Sequence, residues 1–122
     1  TVTFEDPEIL KLAGDAADGV IYSASKFSPD SADETVHRFV EAYKAAYQSE
    51  PNIFAGLSYD AVRILVIAMR DGGTSGPQIR EALHRVRDYP GVAGETTIDE
   101  NGDAVLTPVL KTVKDGKFLF LK

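Results

Sequence analysis

Apolar positions recur along this chain in several rhythms, and the points where the rhythm changes mark its elements. In "FEDPEILKLAGDAADGVIYSASKF" Asp6 can cap a helix, Pro7 suits its first position, and Glu8 suits its positive end. Ile9, Leu10, Ala13 and Ala17 then fall on one side at helical spacing, Gly19 is expected to end the helix, and "VIY" reads as a short strand. After the turn-rich "SPDSADE", the spacing of Val36, Phe39, Val40, Tyr43 and Tyr47 predicts a helix over 33–49. Glu34, Arg38, Glu41 and Lys44 form its solvated outer face, and Pro51 stops it.

The next stretch, "LSYDAVRILVIAM" over 57–69, behaves differently. Ser58 or a neighbour can cap it and Asp60 is expected in the first turn, but Ile64, Leu65, Val66, Ile67, Ala68 and Met69 cover most of the circumference. A helix that is apolar all round belongs inside a protein, packed on more than one side. The loop "DGGTSGP" leads to another helix from Pro77 with Ile79, Ala82, Leu83 and Val86 inward, and "DYPGVAG" closes it. The remainder reads as β-structure: "ENGD" and "KDGK" are hairpin turn signals, and "TPVLKTV" and "KFLFL" are expected to pair antiparallel.

Composition narrows the function. A chain of 122 residues with 43% apolar and 26% charged residues suits one globular domain with a real core. A net charge of -6, with lysines and arginines scattered singly, argues against nucleic acid as a partner. With no cysteine there is neither a thiolate zinc site nor a disulfide, which suits an oxidising compartment. No apolar run reaches the ~18 residues of a membrane span. The chain starts abruptly at "TVTFEDPE", so a mature protein and a piece of a longer one are both open.

Catalytic constellations fail one by one. "GLSYD" has Asp60 where a nucleophile elbow needs glycine. His37 and His84 stand on separate helices among charged residues. "AGDAADG" follows a helix, whereas a phosphate loop follows a strand. "DENGD" lacks the spaced ligands and closing glutamate of a calcium loop. A binding module is therefore expected rather than an enzyme, with no cofactor and no metal.

Four segments in order, "DPEILKLAGDAADGVIYS", "FVEAYKAAYQSEPNIFAGLSYDAVRILVIAMRDGG", "IREALHRVRDYPGVAGETTIDENGD" and "VKDGKF", resemble the C-terminal part of the periplasmic binding proteins of branched-chain amino acid ABC transporters. The resemblance implies an α/β fold, a fragment of a two-lobe type I binding protein, with helices and a C-terminal β-hairpin. Residues 1–24 and 109–122 would belong to one lobe and 25–108 to the other. It further implies an extracytoplasmic receptor, periplasmic or membrane-anchored outside a Gram-positive cell, that encloses an amino acid or similar small carboxylate and delivers it to a permease. A sensor of the same fold is the alternative, and an α/β enzyme domain a more remote one. The apolar helix would face strands from a missing N-terminal half, or a swapped second copy would cover it.

For the ligand, the resemblance implies that Phe54 walls the side-chain pocket and that Tyr59 and Asp60 sit at the helix mouth. Thr1, Thr3 and Glu5 are candidates to meet the ammonium group from the loop before the first helix. Each has a plainer reading beside it. Thr1, Thr3 and Glu5 suit loop polarity and capping, Phe54 and Tyr59 suit core packing, and Asp60 suits a first-turn carboxylate worth ~0.3 to 1 kcal/mol.

Overall fold

Asn52, not Ser58, starts the apolar helix in the computed structural model, which describes residues 2–121. The Asn52 side chain accepts the Ala55 N–H at 3.1 Å, and the helix α3 runs over Ile53–Gly72. This early start moves Asp60 from the first turn to the helix interior, where it is buried.

The other helices follow their caps. α1 (Pro7–Ala13) begins with Asp6 accepting the Glu8 N–H at 2.9 Å. It ends earlier than its apolar spacing suggests, because Gly14 turns to φ 53° and the chain continues as a 3-10 turn, Gly14–Ala17. α2 (Glu34–Tyr47) begins at Asp33, whose carboxylate accepts the Thr35 and Val36 N–H groups. α4 (Gly76–Leu83) opens with a capping box between Ser75 and Gln78.

Among the described residues six short strands make two antiparallel sheets: β1 (Ile21–Ala24), β2 (Tyr89–Gly91), β3 (Gly94–Ile98), β4 (Ala104–Leu106), β5 (Val109–Lys114) and β6 (Lys117–Phe120). The orders are β1-β5-β6 and β2-β3-β4. Both anticipated turns close hairpins, one at Gly102 between β3 and β4 and one at Gly116 between β5 and β6. "DYPGVAG" was expected only to close a helix. It instead forms β2 and a turn into β3, with Tyr89 opposite Thr96.

The chain divides into two compact units, Thr1–Lys26 with Pro108–Lys122, and Phe27–Thr107. In the first unit, the register Tyr22–Lys111–Phe120 puts those three side chains on one face of the sheet. Ile21, Leu110 and Leu119 lie on the other face and are exposed. In the second unit the core is Phe27, Val36, Phe39, Val40, Ile53, Val92 and Ala93. α3 buries Ile53, Gly56, Asp60, Ile64 and Ala68 on one side. Its opposite side carries a second apolar stripe, Val62, Leu65, Val66 and Met69, with Val62 60% and Val66 53% exposed. No helix of the described residues is long and apolar enough to cross a membrane.

α3 and α4 meet through Gly72, where an added Cβ would lie 2.6 Å from the Cβ of Ala82. Alanine gains up to ~1 kcal/mol in helix propensity over glycine, but overpacking costs about 1 to 3. Gly72→Ala is therefore expected to lose on the order of 1 kcal/mol in urea unfolding. A variant as stable as the parent would mean that α4 can shift away freely.

Candidate functional site

Phe54 stands in the first turn of α3 and is 47% exposed. Tyr59 lies five residues on, about 140° around the helix, and is 39% exposed. Its ring packs on Phe39 with centroids 4.8 Å apart, and Phe39 in turn meets Phe27 and Tyr43. Tyr59 is thus half anchored in the core of the second unit while part of its surface stays open. Both aromatics present apolar surface at the N-terminal end of α3.

Asp60 has a different position. It is buried, and both carboxylate oxygens accept backbone N–H groups, Oδ1 from Val92 at 2.9 Å and Oδ2 from Ala93 at 2.8 Å. This clasp fixes the turn after β2 against α3. Gly91 is required beside it, since a Cβ there would clash with the carboxylate. Burial pushes the Asp60 carboxyl above its ordinary value, and the bonds from Ala93 and Val92 offset only part of that rise. The group serves the fold of its own unit.

Glu5 is likewise engaged. Its Oε1 accepts from Lys111 Nζ at 2.7 Å and from the Tyr22 hydroxyl at 3.0 Å. Thr3 lies in the 3-10 turn Val2–Glu5. Thr1 lies outside the described residues. The candidates are therefore divided: Thr3 and Glu5 belong to the first unit, and Phe54, Tyr59 and Asp60 to the second.

A concavity of about 320 Å3 lies in the second unit between α3, α4 and residues 85–90, and it contains none of these candidates. Ile64, Ile67, Ala68 and Ala82 floor it. Of the charged groups at its rim, Arg87 donates to the carbonyls of Val86, Ile98 and His84, Asp71 pairs with Arg70, and Asp88 accepts from the Thr97 hydroxyl. Among the described residues no group of three or more His, Cys, Asp or Glu side chains is placed to hold a metal ion.

Sequence reasoning missed the Glu5–Lys111 pair, because nothing local marks a lysine in an alternating strand as inward. The Asp60 clasp did leave a signal: a lone carboxylate inside an apolar helix needs donors, and "PGVA" downstream can supply them.

Comparison with known proteins bears on the family and the fold. The family model described as periplasmic binding protein matches residues 1–117. The leucine-, isoleucine-, valine-, threonine- and alanine-binding protein of Pseudomonas aeruginosa is 30% identical over 98 residues, covering 79% of this chain and 25% of that protein. A leucine-binding protein of Thermotoga maritima superposes with a TM-score of 0.79 at 32% identity, covering 95% of this chain and 33% of the other. A branched-chain amino acid transporter substrate-binding protein of Streptococcus pneumoniae, solved with isoleucine, gives 0.75 at 31%, covering 94% and 33%. The chain thus spans about a quarter to a third of the length of these relatives.

Proposed function

We propose, from the premise that this chain belongs to the periplasmic binding protein family, that it is part of an extracytoplasmic solute receptor of an ABC transporter. The ligand is an amino acid or similar small carboxylate, held between two lobes, and the receptor hands it to a membrane permease. It works in the periplasm, or anchored outside the membrane of a Gram-positive cell. The carrying observation is the match of nearly the whole chain, in sequence and in fold, to about a third of a leucine-binding protein and of a relative solved with isoleucine.

On this reading the two compact units are portions of the two lobes, and ligand closes them by bridging. The exposed stripe of α3 and the exposed face of the β1-β5-β6 sheet are covered by the rest of the polypeptide. Such contiguous apolar surface is rarely left to water. Phe54 and Tyr59 form an apolar wall for the ligand side chain, and Thr1 and Thr3 remain the candidates to meet its ammonium. Asp60 holds the helix that carries the wall, and does not touch ligand.

The test is a calorimetric series on the full-length polypeptide with alanine, valine, isoleucine, leucine and benzoate. Binding of none of them would sink the reading. Phe54→Ala is expected to weaken each ligand by about 0.8 kcal/mol per methylene it buries, so leucine loses most and alanine least. Equal losses across the series would remove Phe54 from the wall.

A further inference from the structure

Lys111 and Glu5 form an ion pair whose side chains are 4% and 8% exposed, in a chain whose other ion pairs among the described residues lie in the open. Burying two charges costs more than burying two apolar side chains of similar size, so such a pair needs a reason beyond stability. Its geometry supplies one. Glu5 ends the turn Val2–Glu5 and directly precedes Asp6, the cap of α1. Lys111 and Tyr22 are cross-strand neighbours on β5 and β1. These are the strands through which the chain leaves the first unit at Lys26 and re-enters it at Pro108.

Three segments distant in sequence therefore converge on one carboxylate oxygen. Around it, the Phe4 ring meets Tyr22 edge-on at 4.8 Å and Phe118 at 6.1 Å, and Lys111 Nζ lies 5.0 Å from the centre of the Phe120 ring. Aromatic contacts of this kind tolerate small slides. Charge-assisted hydrogen bonds are directional and hold one position.

We infer that Glu5 is a positioning residue: through Lys111 and Tyr22 it locks the turn Val2–Glu5 onto the two crossing strands, and so holds the backbone of that turn in fixed register for the ligand. The inference rests on the solute-receptor reading for its ligand half alone. It replaces the direct ammonium contact that the sequence suggested for Glu5. With its side chain only 8% exposed and Oε1 bonded to a lysine and a tyrosine, the Glu5 carboxylate offers little open surface to a third partner that comes and goes. The lock fixes where the loop stands, and the loop makes the contact.

The experiment compares the full-length polypeptide with Lys111→Met, Glu5→Gln and the double variant. Lys111→Met alone leaves an uncompensated buried carboxylate and is expected to lower the melting temperature by several degrees. The double variant removes both charges and is expected to recover most of that loss. Amide exchange of residues 2–6 in the double variant is nevertheless expected to run about tenfold or more faster than in the parent. Leucine is expected to bind it about tenfold or more weakly. Parental exchange in the double variant would overturn the lock. Faster exchange with unchanged leucine affinity would overturn its role at the site, leaving a purely structural pair. If the parent binds no amino acid, the receptor reading fails, while the exchange rates still decide the lock without ligand.

Discussion

Val66→Asp is expected to destabilise the full-length polypeptide by about 3 kcal/mol or more and to leave the isolated 122-residue chain within about 0.5 kcal/mol of its parent. One substitution has two outcomes because Val66 has two environments. In this chain it belongs to the stripe Val62, Leu65, Val66 and Met69, on the side of α3 opposite Asp60, Ile64 and Ala68, and more than half of its surface is open. An aspartate there stays hydrated. If the remaining two-thirds of the receptor covers that stripe, the same aspartate is buried without a partner. Urea unfolding of both proteins reads the difference. A large loss in the isolated chain that depends on its concentration would instead show that a second copy covers the stripe.

Asp60→Ala is expected to cost about 2 to 5 kcal/mol in either protein, because it strands two buried backbone donors, the Val92 and Ala93 N–H groups. Asp60→Asn keeps the shape but offers an amide NH2 where one N–H needs an acceptor, so roughly half that loss is expected. Acid titration separates the two roles of the group. Its folded carboxyl is held above the ordinary 3.8, so folding favours proton uptake. The contribution of Asp60 to stability therefore grows as pH falls from that raised value towards 3.8, and is constant below it. Asp60→Asn should lack this segment of the stability curve. A parent whose curve matches that of the asparagine variant throughout would show that the N–H bonds fully offset burial.

Much of the fold was legible because its signals are local. Asp6 and Asp33 cap where their side chains can reach free N–H groups, and the Asn-Gly and Asp-Gly turns close the hairpins they announce. The apolar circumference of residues 62–69 resolves into one buried stripe and one exposed stripe on α3. What escaped was decided at long range. Asn52 won the cap of α3 over Ser58, adding a turn and carrying Asp60 inside to a partner more than thirty positions away. Lys111 faces inward because β5 pairs with β1 in a register set far along the chain, which its own strand does not encode. Of the proposed ligand residues, Phe54 and Tyr59 keep open surface for a wall. Asp60 and Glu5 have their carboxylates engaged within their own units.

The split composition of the first unit bears on the order of assembly during synthesis. β1 precedes its hydrogen-bonding partner β5 by about ninety residues, with all of Phe27–Thr107 between them. Until Pro108–Lys122 arrives, β1 has an unsatisfied edge while the β2-β3-β4 sheet already holds every strand it pairs. The segment Pro108–Lys122 is thus the keystone of its unit, and a chain stalled before it would leave a dangling, aggregation-prone strand.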